Sequence, residues 1–461
     1  MILSKLKTAL TGGVAMSMLA VGAPAAAFCG FYVAKADTDM FNDSSRVVMT
    51  RDGDRTVITM ASDYEGDPTE FAMVIPVPTI VTKDQVHVSD VTLLDHLDAY
   101  TAPRLVEYHD GNPCVSDEYM KRDRLDMAPP VVAMGSSIES EAAYLGVTIE
   151  ESFTVGEYDI LILSARESSG LQTWLTSNGY KIPPAANRIL DSYIKQDMKF
   201  FVAKINLEEQ AKSGGEMLRP IAVAFESPKF MLPIRLGTVN SKGSQDMFVY
   251  ALTRNGRVET TNYRTTKIPT DVNLPVFVED DFDSVYPAMF TKAIDREGGS
   301  GVVMEYAWDM NWCDPCAADP LSVAQLRELG AFWVGDDGDM QRGGVKGQAR
   351  DVFVTRLHVR YDAQSFPEDL KFQTTGNKEN FQGRYVMQKP YDGSMDCKAA
   401  DRYKKTVNRR QETEISTLAN LTGWSKTEIR GKIDASGKGK KFDIDSGSGE
   451  RWWDDIWGNK K

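Results

Sequence analysis

The sequence has no apolar run of the roughly 20 residues that a membrane-spanning helix needs. The longest candidate, Thr8 to Val21, is short and rich in glycine and small residues, so an integral membrane protein is not expected. Histidine is scarce: His87, His96, His109 and His358 are the only four in 461 residues, and they show no ligand spacing. With isolated cysteines elsewhere, this argues against a zinc site, and no metal or cofactor is expected. Basic charge is also short, with 53 Lys and Arg against 66 Asp and Glu. A nucleic-acid partner is therefore excluded. No internal repeat is present, which removes solenoid architectures.

What is present begins with Lys5 and Lys7, an apolar stretch, a break at Pro24 and the small residues Ala25 to Ala27. This is the pattern of a secretory signal peptide over residues 1–27, leaving Phe28 as the first mature residue. Without Lys5 and Lys7 the balance is 51 basic against 66 acidic, a net of −15. A periplasmic or secreted location follows, and the length suits one large or two smaller domains.

Export makes disulfides the default state for the five cysteines, Cys29, Cys114, Cys313, Cys316 and Cys397. The odd number leaves one thiol over, and the sequence does not fix the pairing. Cys313-Asp314-Pro315-Cys316 is the only close pair, flanked by Trp308 and Trp312. Its plain reading is a structural disulfide. Its sharper reading is a redox pair, with Cys313 as nucleophile and Cys316 as resolving thiol, because a preceding apolar strand, an adjacent Trp and a helix opening at Asp319-Pro320 and ending at Gly330 resemble a thioredoxin active site over about two dozen residues. Cys29 is set back from the mature N-terminus by Phe28, which argues against an N-terminal nucleophile. A structural disulfide, with Cys114 as one available partner, is its plain reading.

Alternating β-rich runs across Asp52-Gly53 predict a hairpin, and Phe71 to Val77 a third strand of the same front sheet. Pro76 and Pro78 place that strand at an edge or an end. A helix is expected at Asp90 to Tyr100, with a Pro- and Met-containing connection at Asp126 to Gly135. Next come a strand from Tyr158, a helix ending at Asn178-Gly179, and another helix after Pro183-Pro184. Further strands are expected at Phe200 to Ile205, Pro220 to Phe225, Met247 to Thr253, Val302 to Trp308 and Val352 to Tyr361. Val258 to Tyr263 should pair with Met247 to Thr253 across Asn255-Gly256. Leu274 to Asp283 reads as a loop. The acidic clusters at 279–281, 336–339 and 443–445 match no EF-hand and read as solvated loop charge.

Residues 398–441 carry 12 Lys and Arg against 5 Asp and Glu. Tyr403, Val407, Ile415 and Leu418 recur at helical spacing, and Ser425 with Glu428 caps a second helix. Trp452, Trp453, Ile456 and Trp457 then form an apolar face whose plain use is docking back on the parent domain. The chain thus divides into a signal peptide, a main exported domain at 28–395 that could split into two subdomains, and a basic, Trp-ended appendage at 396–461. The expected fold is α+β: strand-rich, with mostly antiparallel sheets, a few helices and a C-terminal helical appendage.

Six stretches, CGFYVAKAD at 29–37, FAMVIPVP at 71–78, APRLVEYHDGNPC at 102–114, LQTWLTSNGYKIP at 171–183, EYAWDMNWCDPCAADPLS at 305–322 and VTRLHVRY at 354–361, together resemble the exported bacterial proteins grouped as domain of unknown function 2330. The likeness spans about residues 29–390 and implies export without supplying an activity. Members with a second cysteine shortly after the first differ from this chain, which has Val33 nearby, so Cys29 is free for a distant partner. The expected function is a non-catalytic binding or cell-envelope component of unknown partner, with residues 398–461 available for peripheral envelope contact. The rival expectation is a thiol-disulfide oxidoreductase using Cys313 and Cys316.

Overall fold

The computed structural model describes residues 31–35, 41–65, 71–115, 147–178, 180–181, 185–206, 208–209, 218–239, 243–312, 319–335, 351–439 and 442. The expectations for residues 1–27, Cys29, Cys313, Cys316, the connection at 126–135, the acidic clusters at 336–339 and 443–445 and the tryptophan face at 452–457 lie outside these residues.

Strands are numbered β1–β21 and helices α1–α7 along the described chain. A nine-stranded sheet runs β15 (Thr265–Lys267), β17 (Val302–Asp309), β18 (Phe353–Tyr361), β13 (Gln245–Thr253), β2 (Phe41–Asp52), β3 (Arg55–Glu65), β11 (Ile221–Glu226) and β5 (Val86–Val88), with β20 (Phe381–Gln382) also on β17. It is antiparallel except where β13 meets β2 and β15 meets β17. A six-stranded antiparallel sheet has the order β7 (Val147–Val155), β8 (Tyr158–Ala165), β10 (Lys199–Ile205), β4 (Phe71–Val77), β1 (Phe31–Lys35) and β9 (Tyr180–Lys181). Two small sheets complete the set: antiparallel β12 (Met231–Leu232), β19 (Leu370–Thr374) and β14 (Val258–Thr260), and parallel β16 (Val272–Leu274), β21 (Arg384–Lys389) and β6 (Arg104–His109). The fold is α+β with mostly antiparallel sheets and a C-terminal helical segment.

Period-two alternation sorts the side chains into layers. Val47 and Met49 of β2 meet Met73 and Ile75 of β4 in a core between the two large sheets. Val48 turns the other way, under Leu94 and Leu97 of α1 (Val91–Thr101). On the far side of the six-stranded sheet, Ala72 and Val74 meet α2 (Ser168–Ser177) and α3 (Ala186–Ile194). A fourth cluster joins Leu274 and Tyr385 of the parallel sheet to α4 (Val278–Arg296), α6 (Ala400–Thr422) and α7 (Lys426–Ser436).

The hairpin at Asp52-Gly53 forms as expected, with Gly53 at φ +59° and Asp52 opposite Arg55. Three local expectations are corrected. Phe71–Val77 is a strand, but it joins the six-stranded sheet and not the hairpin; Pro76 is tolerated there because pairing with β1 has already ended at Val74. Val258–Thr260 turns at Gly256 but does not pair back on β13, since both edges of β13 are taken, by β18 and β2. Leu274 to Asp283 is not a loop, because α4 begins at Val278, and Glu279, Asp280 and Asp281 occupy its first turn, where the helix dipole favours acids.

Candidate functional site

The structure holds two polar clusters, one set in the sheet and one facing a cleft. In β18, Arg356, His358 and Arg360 alternate with buried Leu357 and Val359, so the three cations share one face. In β17 the pairing with β18 slips between Met304 and Tyr306, a bulge that inserts Glu305 as an extra residue. The Glu305 carboxylate meets Arg356 Nε at 2.7 Å and His358 Nδ1 at 2.7 Å, and accepts a hydrogen bond from the Tyr286 hydroxyl of α4. Arg356 also donates to Asp98 Oδ1 of α1 at 2.6 Å, where the Tyr250 hydroxyl donates too. Arg360 grips Asp246 of β13 through two bonds of 2.7 Å.

Burial by itself would raise the Glu305 carboxyl; the charges of His358 and Arg356 outweigh it and hold the group down to about 2. Burial opposes charge on His358 as well, yet Glu305 and Asp246 raise its affinity for a proton. Protonated His358 balances the set, three cations against Asp98, Asp246 and Glu305. The imidazole lies between Phe290, stacked at 3.5 Å, and Phe248 at 4.2 Å. With its imidazole closed on both faces by aromatic rings, the cluster ties α1 and α4 to the sheet.

The second cluster lies where α6 and α7 close over the parallel sheet. Asp110, just past β6, accepts from Gln388 Nε2 at 2.7 Å, from the Tyr403 hydroxyl at 2.7 Å, and from both terminal nitrogens of Arg410 at 3.1 and 2.9 Å. Cys114 and Cys397 form a disulfide a few residues away, tying the end of β6 to the start of α6. Cys114 is therefore not available to Cys29, contrary to the pairing expected from sequence. The first turn of α4 meets the basic segment: Asp281 with Lys432 at 2.7 Å, Glu279 and Asp280 with Lys438 at 2.9 and 2.7 Å. These acids are a docking surface for α7, not free loop charge.

A cleft of about 410 Å³ opens between these elements. Val276, Phe277, Ile415 and Ile433 supply its apolar wall, and Asn408 and Gln388 supply amides. Glu414 lines it too, with only 3% of its side chain exposed. Its Oε1 has no hydrogen-bond partner and lies 3.5 Å from Arg410 Nε, whose guanidinium is already committed to Asp110. Burial therefore dominates, Arg410 offsets it only in part, Asp110 adds repulsion, and the Glu414 carboxyl is pushed up to about 7. A buried carboxyl poised near neutrality beside a cleft is a typical mark of a binding site.

The sequence model of a family described as "Uncharacterized protein conserved in bacteria (DUF2330)" matches residues 23–373. The chain belongs to the DUF2330 family. No curated protein and no solved structure matches it. In this DUF2330 protein the sealed Glu305 cluster falls inside the matched region, whereas α6, α7 and Glu414 lie beyond it. No helix among the described residues is long and apolar enough to cross a membrane.

Of the cysteines singled out in the sequence, Cys114 is bonded to Cys397, while Cys29, Cys313 and Cys316 lie outside the described residues. The flanks of the CDPC segment are described. Trp308 Nε1 donates to the Trp312 carbonyl at 3.0 Å, and α5 (Val323–Glu328) starts behind a capping box of Ser322 and Gln325. That helix opens at Ser322, not at Asp319-Pro320 as the thioredoxin likeness requires, and it is six residues long. Neither Glu414 nor the Glu305 cluster was singled out from sequence. The only signal for the latter was three cations at alternate positions of an otherwise apolar strand.

Proposed function

We propose that this protein is an exported, non-catalytic binding component of the bacterial envelope that takes a small ligand in the cleft between α6, α7 and the parallel sheet. The observation that carries this reading is the buried Glu414 carboxyl, without a hydrogen bond on Oε1, facing an apolar-walled cleft of about 410 Å³. A cleft of this size is in the range of small-molecule sites, about 300–1,000 Å³. Export is supported by the N-terminal targeting pattern and by the Cys114–Cys397 disulfide, a bond that persists in oxidising compartments. Arg402, Lys405 and Arg409 remain exposed on α6 and leave a basic strip for peripheral contact with the anionic envelope surface.

The apolar fluorescent reporter 1-aminoanthracene tests the cleft. Its emission should rise on binding the wild-type protein and stay low with Ile433→Trp, which fills the apolar wall. Equal enhancement in both proteins, with both folded by circular dichroism, would place binding elsewhere and end this reading.

A further inference from the structure

The charges around the cleft specify what it takes. Arg410 is held by Asp110, Arg430 by Glu412 at 2.7 Å, and Lys438 by Glu279 and Asp280. Among the described residues, the cations that line the cleft, Arg430 and Lys438, and neighbouring Arg410 are thus paired inside the protein. Asp434, on the rim, makes no ion pair among the described residues, and buried Glu414 Oε1 has only a long ion pair, 3.5 Å to Arg410 Nε, and no hydrogen bond. The unmet demand is for positive charge and hydrogen-bond donors, next to a wall formed by Val276, Phe277, Ile415 and Ile433. No group of three or more His, Cys, Asp or Glu suited to a metal ion occurs among the described residues. The cation that fits is therefore organic.

We infer that the cleft binds an organic ammonium or guanidinium ion carrying an apolar group, with the cation on Glu414 and the apolar part against Phe277 and Ile433. This rests on the reading of the cleft as a ligand site and adds the class of ligand. Binding is linked to a proton: the incoming cation ionises Glu414, and the proton leaves to solvent. The charged groups around Glu414 are Arg410, Arg409 and Glu412 from α6, Arg430 and Asp434 from α7, Lys438 just after it, Asp110 after β6 and Asp271 before β16. Of the carboxyls among these, Asp110 is held below the ordinary carboxylate range by Arg410, Tyr403 and Gln388, whereas burial raises Glu414.

The test is displacement of bound 1-aminoanthracene by 2-phenylethylamine and by its neutral counterpart 2-phenylethanol. At about pH 8 the amine should displace at a concentration about tenfold lower than the alcohol, the worth of one charge-assisted hydrogen bond. That advantage should shrink at about pH 5.5, where Glu414 is protonated. Glu414→Gln should keep reporter binding and lose the advantage. Equal displacement by amine and alcohol, or an advantage that survives in Glu414→Gln, overturns the inference while leaving the cleft as a binding site. A reporter that does not bind, or that binds Ile433→Trp as well as wild type, overturns the underlying reading and the inference together.

Discussion

Glu305 and Glu414 are both buried carboxyls, and their surroundings drive them in opposite directions. Glu305 has a guanidinium and an imidazole within hydrogen-bond reach, while Glu414 has only a long ion pair, 3.5 Å to the Nε of an Arg410 whose terminal nitrogens bind Asp110. Glu305→Gln leaves Arg356 and His358 facing a neutral amide in the interior. It should cost about 3–5 kcal/mol, the usual cost of breaking a buried pair by removing one partner; urea denaturation would show it, and a loss below about 1 kcal/mol would contradict the charge-balanced account. Glu414→Gln should behave differently. A carboxyl raised to about 7 from its ordinary value of 4.5 gives stability that is fully present below the unfolded pKa and is lost as pH rises through the folded one. Wild-type stability should therefore fall between about pH 5 and pH 8 by up to about 3 kcal/mol, and the Gln variant should show a shallower fall. His358, also raised, adds to the wild-type decline above its unfolded value, and it does so equally in the Gln variant. Glu305 contributes to the acid limb, with stability present above about 4.5 and lost as pH drops towards 2, and Asp246 and Asp110, also lowered, add to it.

At the scale of elements, packing decides what local pattern leaves open. Gly330, after α5, has φ +86°, and a Cβ there would come 2.5 Å from Val57 Cβ of β3. Gly330→Ala should therefore cost about 1–3 kcal/mol in chemical denaturation, through both the left-handed backbone and the clash. The Asp52-Gly53 hairpin was legible because the turn and both strands are contiguous. The Asn255-Gly256 turn was equally legible, but its second strand goes to another sheet, because β2 and β18 already occupy β13 from positions far along the chain. Helix α4 was hidden by its own start, where Pro275 and three acids look like a loop until the dipole and the lysines of α7 are in place. Glu305 was hidden because only a bulge in β17 turns it towards β18.

For the molecule as a whole, the layered arrangement of two sheets between helices was anticipated only as a strand-rich α+β fold. The strand order depends on pairings hundreds of residues apart, such as β6 with β21. The basic C-terminal segment was read from composition as an appendage; in the structure Lys432, Lys438 and Arg410 are paired to the parent, and Cys397 is covalently joined to Cys114 across 283 residues. In the chain-entropy picture a loop of that length contributes about 5 kcal/mol. Cys397→Ser should therefore lower the unfolding midpoint clearly, and an unchanged midpoint would mean that the ion pairs alone hold the segment.

The central claim, a carboxyl kept uncompensated for a cationic ligand, is tested most directly by the carboxyl carbon resonance of Glu414, assigned by its loss in Glu414→Gln and followed by pH titration. The free protein should titrate with a midpoint near 7, falling below about 5 when 2-phenylethylamine is bound. A midpoint near the ordinary glutamate value of 4.5 that does not move with the amine would contradict the account.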